Sequence, residues 1–175
     1  MEFNLESLPA VGELSSLTIA ELRVHREACE RAEVELSFIR RMIHGRLDVV
    51  YYDLTRRTEG RGSSDFELIV DNLSGILSPR IHAHYSGRIS TFLAPDTDEF
   101  SLEELDSIVG SDKLYKLPEL SDEEVKQIGE RLIELEARIS DQRAKLHDAI
   151  DKLHQEIVRR YKTGEASVDS LLESK

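Results

Sequence analysis

Residues 33–48 read EVELSFIRRMIHGRLD and residues 136–151 read EARISDQRAKLHDAID, and five polar side chains recur in the same register. Each of these five residues in the first stretch returns 103 residues later in the second. Three apolar positions between them, Leu36, Ile43 and Leu47, are matched by Ile139, Leu146 and Ile150, which indicates that one element is duplicated within the chain. The matched pairs are Glu33 and Glu136, Ser37 and Ser140, Arg40 and Arg143, His44 and His147, and Asp48 and Asp151.

We call each set of five polar residues a motif copy. The spacing within a copy is four, three, four and four residues. Residues three and four apart lie on the same side of an α-helix, so each copy predicts a polar stripe along one helix face.

Each motif copy lies inside a long helical pattern that is rich in charged residues and almost free of glycine and proline. The first helix is predicted over residues 18–57 and the second over residues 121–162. Each opens with a capping box and is followed by a glycine that can end it. The predicted capping boxes are Thr18 with Glu21 and Ser121 with Glu124, and the predicted stops are Gly60 and Gly164.

Apolar residues recur every seven positions in both helices, as in the seam of a coiled coil. The pattern, together with a charged fraction of 33% and no tryptophan, predicts an all-α fold: a long antiparallel two-helix coiled-coil hairpin with a partly helical connector. The predicted seam residues are Leu22, Cys29, Leu36, Ile43, Leu47, Val50 and Leu54 in the first helix, and Val125, Leu132, Ile139, Leu146, Ile150, Leu153 and Ile157 in the second.

Charged residues replace apolar ones at part of this seam, namely Glu33 and Arg40 in the first helix and Glu136 and Arg143 in the second. Burying such groups without partners costs several kcal/mol each, so they must pair across the helices, stay hydrated or meet a polar ligand. An antiparallel pairing would place the two copies opposite each other and form a groove with two equivalent halves. Such a groove suits a two-fold ligand with guanine bases, because Arg can bond to O6 and N7, and a carboxylate can accept from N1–H and N2–H.

The remaining segments differ in composition from the two helices. Residues 1–17 and 163–175 are expected to be flexible tails, and residues 58–120 form a connector with twelve acidic and five basic residues. Short helices are expected in this connector over residues 65–77, and after a third capping box, Ser101 with Glu104. The acidic connector could be a solvated loop or could mask a basic partner.

Composition excludes several classes of function. The formal net charge of −12 argues against direct binding to nucleic acid or to an anionic membrane. The single cysteine, Cys29, cannot form an internal disulfide, and neither a membrane span nor a signal peptide is visible, so a cytoplasmic protein is expected. His82 and His84 lack further ligands at metal-binding spacing, and no catalytic motif is present, so we predict no metal site, no catalytic residue and no enzyme.

Both motif copies resemble the E-x3-S-x2-R-x3-Q-x3-D motif of the actinobacterial anti-sigma factors of the RsiG family, whose twin-motif members carry one copy on each helix of an antiparallel coiled coil. The resemblance covers residues 18–57 and 121–162, and four of the five positions match in each copy. His44 and His147 stand where the family pattern has Gln. An imidazole can also donate and accept hydrogen bonds and stack on a base.

The resemblance implies a function. It implies that the chain binds cyclic di-GMP as a regulatory ligand, two molecules per chain, and that the loaded chain holds a WhiG-type sigma factor of a sporulation or developmental programme away from RNA polymerase. Two copies in one chain favour a monomer in this complex. The implied ligand-binding residues are Glu33, Ser37, Arg40, His44, Asp48, Glu136, Ser140, Arg143, His147 and Asp151.

Two other readings stay open from the residues alone. The chain could be a coiled-coil adaptor that binds partners without a small molecule, its repeated charges serving only to set the helix register. It could also be an enzyme that processes the bound nucleotide, in which case the ligand would be turned over.

Overall fold

The computed structural model describes residues 14–60, 70–72, 74–76 and 102–165. Regular structure within these ranges is helical, with no strand among the described residues. The predicted all-α class is therefore confirmed. The main α-helices are α1 (Ile19–Thr58), α2 (Glu103–Val109), α3 (Ser111–Tyr115) and α4 (Asp122–Thr163), and 3-10 helices span Leu14–Ser16 and Leu117–Glu119.

Both long helices begin at the predicted capping boxes. The hydroxyl and the backbone N–H of Thr18 donate to the Glu21 carboxylate over 2.8 and 2.7 Å, and the Glu21 N–H donates back to the Thr18 hydroxyl over 3.2 Å. Ser121 and Glu124 form the same reciprocal bonds before α4. These bonds satisfy N–H groups that the first turn of a helix leaves without partners.

Both long helices also end at the predicted glycines. Gly60 and Gly164 have φ angles of 71° and 77°, in the left-handed region that favours glycine at a helix C-terminus. The Gly60 N–H donates to the carbonyl of Arg57 over 3.1 Å. α1 and α4 thus each end one residue beyond the predicted ranges 18–57 and 121–162.

The connector agrees with its predicted helices only in part. α2 lies where a helix was expected, but its N-cap residue is Leu102, and no side chain caps its first turn. The predicted cap, Ser101, lies outside the described residues. Of the helix expected over residues 65–77, only 70–72 and 74–76 are described, and residues 70–71 and 74–76 are helical.

The chain divides into two compact units, and the division falls within both motif copies. The terminal unit comprises Met1–Ser37 and Asp141–Lys175, and the central unit comprises Phe38–Ser140. Each unit contains part of α1 and part of α4.

In the terminal unit, α1 and α4 pack through the predicted seam. Arg23 contacts Tyr161 near one end, and Glu33 contacts Arg143 near the other, so the two helices run antiparallel here. The buried core contains Leu14, Leu22, Cys29, Ala32, Leu146, Leu153 and Ile157.

A buried arginine fixes the residues before α1 to α4 in the same unit. Arg160 is 8% exposed, and its guanidinium donates to the backbone carbonyls of Leu14 and Leu17. It also pairs with Glu156 over 2.8 Å. Hydrogen bonds from Arg159 and Arg160 lower the pKa of Glu156 to about 2.

In the central unit, α1 and α4 again pair antiparallel, because Arg40 contacts Glu136 and Arg57 contacts Asp122. A Cβ at Gly129 of α4 would lie 3.6 Å from a Val50 methyl group, so the helices approach closely here. α2 adds a third apolar surface. The buried apolar residues are Ile43, Leu47, Val49, Val50, Leu105, Ile108, Val109, Leu117, Val125, Ile128, Leu132, Leu135 and Ile139.

The seam prediction was accurate for most positions. Leu36, Leu54 and Ile150 are only partly buried, and the other predicted seam residues are buried. Near the end of α1 the fully buried residue is Asp53, the neighbour of Leu54, with 0% exposure.

Asp53 is buried together with Arg57, one turn further along α1. The Arg57 Nε donates to the Asp53 carboxylate over 2.6 Å. The same guanidinium donates to the carbonyls of Leu117 and Leu120 over 2.9 and 2.7 Å, and to Asp122 over 2.8 Å. Arg57 therefore ties the end of α1 to the segment that leads into α4.

We expect Arg57→Ala to destabilise the protein by about 3 kcal/mol, because it removes the charged partner of a buried carboxylate. Arg159→Ala is the matched control: Arg159 is 46% exposed in its pairs with Glu156 and Glu165, and its loss should change stability little. Urea unfolding followed by circular dichroism measures both. Equal stability of the two variants would contradict the structural role of Arg57.

Candidate functional site

In the terminal unit, four residues of the motif copies form one cluster around a carboxylate. The Ser37 hydroxyl donates to Oε1 of Glu33 over 2.6 Å, and Nη2 of Arg143 donates to the same oxygen over 2.8 Å. Nε2 of His147 lies 3.4 Å from that oxygen. We call Glu33, Ser37, Arg143 and His147 the terminal cluster.

In the central unit, the four corresponding residues form a second cluster. Nε of Arg40 donates to Oε1 of Glu136 over 2.8 Å and to the Ser140 hydroxyl over 2.9 Å. Ser140 donates to the same Oε1 over 2.8 Å, and Nε2 of His44 lies 3.1 Å from it. We call Arg40, His44, Glu136 and Ser140 the central cluster.

The two clusters have the same construction. Each combines the Glu and Ser of one motif copy with the Arg and His of the other copy. In both, all the donors converge on Oε1, and no described residue donates to Oε2 of Glu33 or Glu136. Each carboxylate thus keeps one oxygen that a further donor can use.

Both carboxyl groups are held in their charged form. Burial of Glu33 raises its pKa, but the hydrogen bonds from Ser37 and Arg143 outweigh this effect, and the net shift is downward. Burial likewise raises the pKa of Glu136, and hydrogen bonds from Ser140, Arg40 and His44 lower it by more.

The two arginines are oriented differently. Arg40 uses Nε for both of its bonds, so its terminal nitrogens bond to no described residue. Arg143 uses Nη2, and its Nε is buried without a hydrogen-bond partner among the described residues. Since a guanidinium carries five N–H donors, each arginine has donors left for another acceptor.

The last residue of each motif copy lies one turn beyond the histidine. Asp48 is partly buried and Asp151 is exposed. Neither appears in the contacts around Glu33 and Glu136. The structure thus brings together four of the five predicted residue types in each cluster, and a ligand contact for the two aspartates stays a prediction, as does the predicted groove.

A comparison with models of protein families gives a match over residues 9–77 and 111–175, more than half of the chain. The matched model is described as RsiG-like. The chain belongs to the RsiG-like family. Membership of this family suggests that the protein is an anti-sigma factor. An anti-sigma factor implies a sigma factor as its partner. The RsiG-like family is not a class of enzymes. A comparison with curated proteins found no significant match.

The family match is a second reason, besides the ion pairs, to treat the duplicated motif as a functional element. A pair of Glu–Arg bridges between helices is enough to fix register. In this RsiG-like chain, each bridge also carries a Ser and a His on the same carboxylate oxygen. The cluster is therefore more elaborate than register alone requires.

Other polar features do not join these clusters. The sequence did not predict the buried pair Asp53 and Arg57. Arg57 also donates to backbone carbonyls about 60 residues further along the chain, and no local sequence pattern indicates such contacts. Nor did the sequence predict a cleft of the central unit between α2 and α4. The cleft is lined by Glu104, Ser107, Ile108, Arg131, Glu134, Leu135 and Arg138.

The described ranges contain neither a metal-binding cluster nor a membrane-spanning helix. Within them, no group of three or more His, Cys, Asp or Glu side chains could hold a metal ion. His82 and His84 lie outside these ranges. No helix in the described part of the RsiG-like chain has the length and apolar character of a membrane span.

The lowered pKa values of Glu33 and Glu136 predict acid sensitivity. A carboxyl group whose pKa is lower in the folded state stabilises the fold above its unfolded value, 4.5 here, and that stabilisation is lost as the pH falls through the folded value. Between about pH 6 and about pH 3, we expect the melting temperature of Glu33→Gln/Glu136→Gln to fall less than that of the wild type.

The control for this comparison is Glu27→Gln/Glu130→Gln, which removes one exposed carboxylate from each unit. It should keep the wild-type acid sensitivity. Thermal unfolding followed by circular dichroism measures all three proteins, and parallel curves for the cluster variant and the wild type would contradict the assignment.

Proposed function

We propose that this protein is a cyclic di-GMP-responsive anti-sigma factor. When it is loaded with the messenger, it sequesters a WhiG-type sigma factor in the cytoplasm and represses the sporulation or developmental genes that this factor transcribes. Membership of the RsiG-like family supports the anti-sigma role and the sigma-factor partner. Our proposal adds two points to that role: cyclic di-GMP is the messenger, and the sigma factor is of the WhiG type.

The observation that carries the messenger proposal is the twin construction of the clusters. Glu33 and Glu136 each keep one carboxylate oxygen to which no described residue donates. Guanine offers N1–H and N2–H to a carboxylate, and O6 and N7 to a guanidinium. Each cluster therefore matches one guanine base. In the proposed complex of two messengers per chain, each messenger places one of its two bases in a cluster.

The proposed switch uses the two arginines that pair across the helices. Arg40 pairs with Glu136 and Arg143 pairs with Glu33, both over 2.8 Å. A messenger that bonds to the same side chains selects conformations in which they face the ligand. It thereby raises the population of the form that binds the sigma factor, in proportion to its preference for that form.

The chain carries both motif copies, and each cluster takes residues from both. A second chain is therefore not needed to complete a cluster. This supports a monomer as the form that binds the messenger and the sigma factor.

A ligand-independent coiled-coil adaptor is the second candidate. It is favoured by one observation: Glu–Arg pairs link α1 and α4 over 2.8 Å in both units. Such pairs can set register by themselves. The two functions differ in whether the sigma factor binds without the messenger.

We expect Arg40→Ala/Arg143→Ala to abolish binding of cyclic di-GMP while the helices stay folded. These arginines are only partly buried, at 34% and 24% exposure, so their pairs contribute modestly to stability. Titration calorimetry measures binding and circular dichroism measures helix content. A large loss of helix would show that the arginines are structural.

The matched control is Arg56→Ala/Arg159→Ala, which removes one arginine from each unit outside the motif copies. It should bind the messenger like the wild type. Equal loss in the control and in the cluster variant would point to a general effect of positive charge.

The decisive titration uses purified wild-type protein and cyclic di-GMP, with and without a WhiG-type sigma factor. Saturable binding near two messengers per chain, tightened by the sigma factor, supports the proposed switch. Binding of the sigma factor with no messenger effect supports the adaptor.

A further inference from the structure

A histidine faces the central carboxylate in both clusters. Nε2 of His44 lies 3.1 Å from Glu136, and Nε2 of His147 lies 3.4 Å from Glu33. The side chains are 25% and 49% exposed, so protons can reach both. An imidazole changes its charge between about pH 5 and 8 when unperturbed, which the other side chains of the clusters do not.

The charge around each cluster depends on this imidazole. With a neutral His, a cluster and the Asp one turn beyond its His contain two carboxylates and one guanidinium, a net charge of −1, in a chain whose formal net charge is −12. A ligand with phosphodiester groups brings further negative charge. Protonation of the His brings this set to neutrality, so the anion meets less repulsion.

The charged residues next to His44 lie on α1 and α4. Glu136 of α4 is in contact, and on α1 Arg40 and Asp48 lie one turn to either side. Arg41 of α1 also lies within one turn. Asp106 of α2 is engaged by Arg46 over 2.6 Å.

The charged neighbours of His147 are similar in kind. Glu33 of α1 is in contact, and Arg143 and Asp151 lie one turn to either side on α4. Asp148 follows directly in sequence. Glu30, one turn before Glu33, pairs with Arg26 over 3.3 Å. In both clusters the imidazole and the arginine face the same carboxylate oxygen.

We propose that His44 and His147 couple ligand binding to proton uptake, so that each cluster takes up a proton as it takes up an anionic phosphodiester. This inference rests on the proposed binding of cyclic di-GMP. The phosphodiester screens the arginine from the imidazolium, and the Glu carboxylate stays in contact with it. Affinity for the messenger then rises as the pH falls.

The test is calorimetric titration of the full chain with cyclic di-GMP at constant ionic strength, from about pH 8 to about pH 6. Over this range the phosphodiesters and the guanine bases keep their charge. We expect the wild-type affinity to rise by roughly tenfold or more, since each linked proton contributes up to tenfold per pH unit. Two buffers of different ionisation enthalpy at one pH count the protons taken up directly.

Two variants accompany the wild type. His44→Gln/His147→Gln keeps a donor and an acceptor at each position but cannot gain a charge, so its affinity should be nearly independent of pH. His25→Gln/His154→Gln removes two histidines outside the clusters and should keep the wild-type slope.

The outcomes separate this inference from the proposed function. Wild-type binding with proton uptake, retained in the control and absent in the cluster variant, supports it. If the cluster variant fails to bind, the number of protons taken up by the wild type and by the control tests the inference: uptake in both supports it, and no uptake overturns it. Binding with the same slope in all three proteins, or with proton release, overturns the inference and leaves the proposed function standing. No binding at any pH overturns both.

Discussion

A carboxylate in the seam between two paired helices must find hydrogen-bond donors, because burial without them costs several kcal/mol. In each unit this requirement is met at a single atom, Oε1 of Glu33 or of Glu136. The Ser one turn along the same helix and the Arg of the facing helix both reach that oxygen. The register of α1 against α4 within each unit thus depends on where these carboxylates lie.

Local signals in the sequence predicted the elements well, and long-range contacts were harder to predict. The capping boxes at Thr18 and Ser121 involve residues three apart, so their bonds follow from the sequence alone. The seam followed from heptad spacing. The burial of Asp53 in place of Leu54 could not be predicted from heptad spacing. It depends on carbonyls of the segment before α4, which become available to Arg57 only after folding.

The residues of the two clusters were predictable from the sequence, but the atoms through which they contact each other were not. Duplication with helical spacing picked out Glu33, Arg40, Glu136 and Arg143 without a structure. Convergence of the donors on one oxygen depends on side-chain rotamers, which spacing does not determine. That convergence supports the proposed function, since no described residue donates to Oε2 of either carboxylate.

The two clusters contain the same residue types but differ in their hydrogen bonds. Arg40 satisfies its Nε with Glu136 and Ser140, whereas Arg143 turns an Nη group to Glu33 and keeps its Nε buried without a partner among the described residues. A buried donor without a partner costs about 1–3 kcal/mol. Under the proposed function, a ligand acceptor that reached this Nε would recover that cost in the terminal cluster. The two clusters thus share their residue types but differ in which arginine nitrogen faces the carboxylate.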